Sequence, residues 1–241
     1  MSNGLVVIPT FNEIENIESI IRAVFALEKP FHVLIVDDNS PDKTFEKVEM
    51  LQNEFPLQLF LQVRKKKAGL GTAYVHGFKW ALQNNYDFIF EMDADFSHNP
   101  QDLIKLFDAC QFGGADMAIG SRYVRGVNVV NWPLSRVLLS YFASVYVKII
   151  TGMKIHDATA GFICYRREVL EKLNLDKIKF VGYAFQIEMK YRTYCKGFKI
   201  KEVPIIFTDR TKGQSKMSNS IINEAVFGVI SLRIKKLFNR L

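Results

Sequence analysis

An α/β fold with a doubly wound, mostly parallel sheet and helices on both faces is predicted by two features of the chain. Short β-rich runs alternate strictly with amphipathic helical stretches through the first 120 residues, and three of the strand ends run into polar, acidic segments. Composition agrees: 241 residues at 49% hydrophobic and 24% charged can bury one large core and are too apolar for disorder. A single domain over residues 1–241 is expected.

The elements follow in order. Residues 5–9 read as a strand, 13–27 as a helix opened by Asn12, and 33–37 as a second strand. Residues 41–53 fit a helix, 57–63 a strand, 70–83 a helix, 88–92 a strand, 100–112 a helix and 117–120 a strand. In open sheets of this kind ligands sit outside the carboxyl ends of the strands. Those ends carry Pro9-Thr10-Phe11-Asn12-Glu13, Asp37-Asp38-Asn39-Ser40-Pro41-Asp42 and Asp93-Ala94-Asp95-Phe96-Ser97-His98, which should converge on one edge. Taken singly, each segment is ordinary turn and cap chemistry, with Asn12, Asp42 and Asn99 as N-caps. Three acidic clusters at one edge repel unless a cation or a ligand offsets them.

Asp93-Ala94-Asp95 is the sharpest of these segments. Two carboxylates one residue apart at a strand end offer hard oxygen ligands to Mg²⁺ or Mn²⁺, and magnesium is completed by waters and substrate phosphates, so a nucleoside diphosphate is implied. Zinc is disfavoured because His32, His76, His98 and His156 are scattered, and Cys110, Cys164 and Cys195 form no C-x-x-C pair. The odd cysteine count also argues against a disulfide framework and for a reducing compartment. Gly69-Leu70-Gly71-Thr72-Ala73-Tyr74 is not a dinucleotide fingerprint, since Tyr74 stands at the third glycine position; the Walker pattern is absent. The two glycines instead fit a tight approach into a helix, and Arg64-Lys65-Lys66-Lys67 before them reads as a solvated turn.

Charge divides the chain. Residues 1–120 hold 10 Lys/Arg against 17 Asp/Glu, whereas residues 121–241 hold 22 against 8. An acidic half suits a metal cation; a basic half suits phosphates or an anionic membrane surface. No helix-turn-helix, zinc or RNP-like motif supports nucleic acid. The longest uncharged apolar run, 137–147, is eleven residues, short of the about 20 that a spanning helix needs. No export signal is visible at the N-terminus. Residues 129–151 and 218–241 are instead expected to be interfacial helices. The first has Arg136, Ser140, Ser144 and Lys148 as one polar stripe and Trp132 at headgroup level. The second has Ile222, Val226, Val229 and Ile230 on one side, followed by Arg233, Lys235, Lys236 and Arg240.

An ordered series of motifs resembles the family 2 glycosyltransferases of GT-A fold, and among them the dolichyl or polyprenyl phosphate mannosyltransferases. It runs from Val7-Ile8-Pro9-Thr10-Phe11-Asn12-Glu13 through Asp37-Asp38-Asn39-Ser40-Pro41-Asp42-Lys43-Thr44, Gly69 to Gly77, Met92 to Pro100 and Gly120-Ser121-Arg122-Tyr123. It ends with Asp157-Ala158-Thr159-Ala160-Gly161-Phe162 and Arg210-Thr211-Lys212-Gly213-Gln214-Ser215-Lys216-Met217. Two positions depart from the family pattern, Phe11 where tyrosine is frequent and Lys43 where glycine is usual.

The resemblance implies that Pro9, Phe11, Glu13, Val36 and Asp38 hold the guanosine of GDP-mannose, and that Asp93, Ala94 and Asp95 hold ribose, diphosphate and a Mg²⁺ or Mn²⁺ ion. Arg122, Arg210 and Lys216 would neutralise phosphates, the last two from a mobile lid, and Arg122, Arg136 and Ser140 would receive the acceptor phosphate. Asp95, Arg122, Arg210 and Lys216 are the expected catalytic set. The implied reaction is displacement of GDP from mannose by a polyprenyl (dolichyl-type) phosphate, with inversion. A phosphomonoester, with a second pKa of about 6, already carries its nucleophilic anion at neutral pH. The expected setting is the cytoplasmic face of a membrane, held peripherally, with room for an anchoring partner protein. The alternatives are a family 2 transferase moving glucose or an aminosugar from a UDP-sugar, and a sugar-nucleotide-binding membrane module without turnover.

Overall fold

The computed structural model describes residues 4–209 and 219–238. The strands are β1 (Gly4–Thr10), β2 (His32–Asp37), β3 (Leu59–Val63), β4 (Phe88–Glu91), β5 (Met117–Ser121), β6 (Val129–Val130), β7 (Ile163–Arg166), β8 (Ile200–Pro204) and β9 (Phe207–Thr208). The helices are α1 (Ile17–Phe25), α2 (Thr44–Gln52), α3 (Leu70–Gln83), α4 (Asp102–Gln111), α5 (Leu134–Thr151), α6 (Arg167–Lys172), α7 (Tyr183–Cys195) and α8 (Asn219–Leu237).

Seven strands form one sheet in the order β3-β2-β1-β4-β7-β5-β8, while β6 and β9 make a separate parallel pair. Alternation along β1 explains the two apolar layers. Leu5 and Val7 point into a core with α3, α6, α7 and parts of α5 and α8, whereas Val6 and Ile8 point to the core beneath α1, α2 and α4. Glycine is required where α3 meets β1, because a Cβ on Gly77 would lie 2.4 Å from Val7 Cγ1.

The sheet is mixed because β7 runs antiparallel between β4 and β5. This reversal places the site. A strand entering from the opposite end begins beside the carboxyl ends of its neighbours, and Ile163 pairs with both Glu91 and Ile119. The segment leading into β7, residues 157–162, therefore joins the loops that follow β1, β2 and β4.

Several expected boundaries shift for local reasons. The first helix starts at Ile17 rather than residue 13, and Asn12 is no helix cap but a left-handed residue, φ 59°. The backbone N–H groups of Asn12, Glu13 and Ile14 are bound by side chains of the next loop, so the chain turns before it coils. Similarly α2 starts at Thr44 rather than 41, after Lys43 at φ 67°. The segment 129–151 is not helical throughout: β6 occupies its start and α5 begins at Leu134. That helix continues through Arg136 and Lys148, so its 18 residues are long and apolar enough to cross a membrane by length and composition, correcting the expectation drawn from the eleven-residue run.

Candidate active site

The loops after β1 and β2 are built largely from one another. Thr10 Oγ1 donates to Asp37 Oδ2 at 2.7 Å, and Asp37 also accepts from Ser40 N and Oγ. Ser40 Oγ, Thr44 Oγ1 and Asp42 Oδ2 in turn accept the N–H groups of Asn12, Glu13 and Ile14. Turn chemistry thus accounts for Asp37, Ser40 and Asp42, and leaves Phe11, Glu13 and Asp38 at the edge.

Asp38 is not a bare carboxylate. Arg64 Nε donates to it at 2.5 Å, and Arg64 Nη1 donates to Thr72 Oγ1 at 2.8 Å. The reading of 64–67 as a solvated turn therefore fails at Arg64, whose side chain is buried against this edge, and holds for the exposed Lys65, Lys66 and Lys67. Arg64 Nη2 is buried without a partner, a donor left at the mouth of the β1–β2 crevice. Lys67 places its ammonium 4.2 Å above the ring of Phe11. The approach of α3 here depends on Gly69 at φ 99° and on Gly71, where a Cβ would meet Phe180 O at 2.7 Å.

At the end of β4, Asp93 and Asp95 both face a cavity of about 350 Å³. Asp95 is nearly buried, and its Oδ1 accepts the N–H of Ser97 at 3.0 Å. Asp93 is more open, with Tyr74 OH 3.4 Å from Oδ1. His98 lies beneath them, stacked on Phe162 at 4.8 Å; burial lowers its pKa to about 4, so it stays neutral. Arg122, Arg136 and Ser140 line the same cavity, so five of the expected residues meet there. Pro9, Phe11, Glu13 and Asp38 lie farther along the edge. Val36 and Ala94 are buried, and the Val36 side chain packs in the core. Arg210, Lys216 and the lid between them lie outside the described residues.

Arg122 is held rather than free. Its Nε and Nη2 form a forked pair with Asp157 at 2.7 and 2.6 Å, its backbone N donates to the same carboxylate, and Nη2 also donates to Thr159 Oγ1. The rings of Tyr123, Trp132 and Phe207 surround the guanidinium. Burial raises the Asp157 carboxyl, yet the Arg122 charge and hydrogen bonds outweigh it and hold the pKa below its ordinary value. Glu202 fixes this pair from behind by accepting from Ser121 Oγ and Asp157 N.

The sequence reading missed the polar wall supplied by α7. Gln186 and Lys190 are buried in it; Lys190 Nζ donates to Ala160 O at 2.6 Å, and Gln186 Nε2 donates to the buried Glu91, which also accepts from Tyr165 OH at 2.7 Å. Burial raises the Glu91 carboxyl and lowers the Lys190 amine. Polar residues at three- and four-residue steps on a helix read as a solvent face, so periodicity pointed the wrong way.

Of the polar stripe of α5, Arg136, Ser140 and Ser144 face inward, whereas Lys148 is exposed. Arg136 Nη1 pairs with Asp209 at 2.8 Å and lies over Trp132, while Ser144 Oγ accepts from Ala158 N. Trp132 is packed under Arg136 and beside Phe207. Leu134, Leu138, Phe142 and Ile149 face outward, and α8 adds Phe227, Ile234, Leu237 and Phe238. Val229, expected with Val226 and Ile230 on one side, is buried in the core while those two are exposed. Ile222 and Arg240 fall outside the described side chains.

A family model described as "Glycosyl transferase family 2" matches residues 5–174. A "Polyprenol monophosphomannose synthase" of Mycolicibacterium smegmatis is 47% identical over 98% of this chain and 89% of its own length. An "Undecaprenyl-phosphate mannosyltransferase" of Micrococcus luteus is 44% identical over 93% of this chain and 91% of its own. Among solved structures, a mannosyltransferase from Pyrobaculum calidifontis in complex with GDP-Man and Mn²⁺ superposes with a TM-score of 0.62 at 17% identity, over 98% of this chain and 64% of its own, which speaks to the fold.

Proposed function

Because this chain belongs to glycosyl transferase family 2 and is a glycosyltransferase, we propose that it transfers mannose from GDP-mannose to a polyprenyl phosphate, with inversion, at the cytoplasmic face of a membrane. The observation that carries this reading is one cavity lined by Asp93 and Asp95, by Arg136 and Ser140, and by the apolar side chains Leu139, Phe142 and Val226. A nucleotide sugar and a lipid phosphate need such acidic, cationic and apolar groups in one place. The relatives' names support mannose and a polyprenyl carrier.

The donor set fits a divalent cation. Asp93 and Asp95 are two hard carboxylates, and among the described residues no third carboxylate, histidine or cysteine joins them, the pattern expected for Mg²⁺ or Mn²⁺ completed by waters and diphosphate rather than by a protein cage. Bound there, the ion would offset the charge that develops on departing GDP.

The residues of the chain do the rest. Arg64 and Asp38 present a paired donor and acceptor toward the base, beside the Phe11 ring. Arg136 and Ser140 orient the acceptor phosphate, whose oxygen attacks the anomeric carbon as the bond to GDP breaks; the phosphate displaces Asp209 from Arg136. No protein nucleophile is required, since the attacking oxygen is already anionic and the site supplies position and charge. Arg122, tied to Asp157, keeps a fixed positive wall beside the diphosphate. Residues 1–241 act as one transferase domain, and the outward apolar face of α5 and α8, flanked by Lys148, Arg233 and Lys235, lies in the interfacial layer.

Incubation with Mg²⁺ or Mn²⁺, a short polyprenyl phosphate and either GDP-mannose or UDP-glucose tests the reading. A mannolipid formed from GDP-mannose is expected; product from UDP-glucose alone would establish the related UDP-sugar transferase, and binding without product would leave a non-catalytic module. Asp95→Ala is expected to abolish transfer while costing about 1 kcal/mol of stability from the lost Ser97 contact.

A further inference from the structure

One wall of the cavity holds a polar atom that the reaction as described does not use. Gln186 lies on the first turn of α7, is 3% exposed, and lines the cavity together with Asp93, Asp95 and Gly161. Its Nε2 donates to the buried Glu91 carboxyl, which leaves the amide oxygen turned away from that group. Tyr165 OH holds Glu91 from the other side, so the amide is braced. The remaining atom, Gln186 Oε1, is buried without a hydrogen-bond partner. A buried acceptor left unmade is costly and rare, and it calls for a donor that arrives with a ligand. Gly161 packs beside the same amide: a Cβ built on it would stand 3.5 Å from Gln186 Nε2 and 3.9 Å from its Cδ, in ordinary van der Waals contact.

From this we propose that Gln186 is a specificity-determining residue that accepts a hydrogen bond from a hydroxyl of the sugar being transferred. The inference rests on the donor reading above. Near Asp93 and Asp95 the neutral O–H donors of the substrate are those of the ribose and of the glycosyl group, and a GDP affinity that survives loss of Gln186 assigns the contact to the latter; the diphosphate offers acceptors only and cannot satisfy a carbonyl oxygen. A site built around a fixed acceptor rejects a sugar lacking the matching hydroxyl far better than an apolar pocket rejects an added one, because the acceptor is then left unpaired. Glu91, Tyr165 and Lys190 serve as its rigid support rather than as contacts to substrate.

The test uses the full chain with Mg²⁺ and measures equilibrium binding of GDP, GDP-mannose and the series of GDP-mannose analogues each lacking one hydroxyl. The parent protein is expected to bind one deoxy analogue about ten-fold or more weakly than GDP-mannose. Gln186→Met, of similar length without the acceptor, should lose GDP-mannose affinity by a similar factor, keep its GDP affinity, and no longer distinguish that analogue from GDP-mannose. Gln186→Leu, which removes the acceptor with a smaller side chain, should lose the same discrimination and covers the case in which Gln186→Met fails to fold. Unchanged discrimination in either folded variant, or a parent that binds every deoxy analogue as tightly as GDP-mannose, overturns the assignment. If the parent binds UDP-glucose and not GDP-mannose, the donor reading fails while the Gln186 assignment is decided by the same series made on UDP-glucose.

Discussion

Replacing Asp157 by asparagine should weaken the fold more than its distance from the sheet centre would indicate. The carboxylate is fully buried and receives three hydrogen bonds from Arg122, at 2.9, 2.7 and 2.6 Å. Asp157→Asn keeps the shape and removes the charge, leaving a guanidinium in a site that is only 7% exposed. Breaking a buried pair on one side costs about 3–5 kcal/mol. Thr159 and the rings around Arg122 retain part of its environment, so the lower end is expected. For a domain of this size each kcal/mol moves Tm by about 2–4 °C, so a fall of about 6 °C or more should appear by calorimetry at pH 7. Because the folded carboxyl lies below its ordinary value of 3.8, its contribution is full above that value and is lost as pH falls through the lower folded one. Parent and variant should therefore begin to converge only below about pH 4 and meet once pH is below the folded value. Arg122→Met on the Asp157→Asn background should recover part of the loss, since the orphaned charge is gone. A Tm change under about 2 °C, or a double variant destabilised by the sum of the singles, would show that the pair is not what anchors this wall.

Three further outcomes follow from the same geometry. Arg136→Ala should raise the KM for polyprenyl phosphate about ten-fold and leave GDP-mannose affinity unchanged by calorimetry; equal loss of both would place Arg136 in the donor pocket. Phe142→Ser with Phe227→Ser removes two rings that are 61% and 71% exposed, each worth about 1.5–3 kcal/mol when buried in lipid, so co-sedimentation with anionic vesicles should fall at least ten-fold, and recovery unaffected by these changes or by salt would remove the interfacial assignment. Lys43→Gly should stabilise the fold by about 0.5–1 kcal/mol in urea unfolding, because Lys43 holds φ 67° and its contact to Glu46 is exposed; a loss of stability would mean that the lysine side chain contributes more than the backbone strain.

Local regularities made much of this protein readable from its sequence. Alternating Leu5, Val6, Val7 and Ile8 set a strand with two buried faces, and the helix over Leu70–Gln83 was expected after the Gly69-Leu70-Gly71 turn. Asp93 and Asp95 were singled out because two carboxylates after a strand carry their chemistry whatever packs behind them. Other features depend on partners distant in the chain. Nothing near residue 163 says that β7 runs against its neighbours, yet that reversal brings Asp157 to Arg122. Arg64 looks like one more surface cation until Asp38, 26 residues away, accepts its hydrogen bond.

The same holds for helix faces. The stripe of Arg136, Ser140 and Ser144 was visible as a stripe, but its direction was not, because periodicity defines faces and only packing decides which one meets solvent. In α5 the polar side turns toward the cavity and the apolar side outward, and in α7 Gln186 and Lys190 enter the interior because Glu91 and Ala160 O satisfy them there. Through residue 120 the sequence alone determined the elements, their order and the acidic strand ends, since those arise from forces between near neighbours. The inward cations, the braced glutamine and the exposed apolar face were decided by the tertiary structure, because burial and charge pairing are properties of contacts that exist only once distant segments have met.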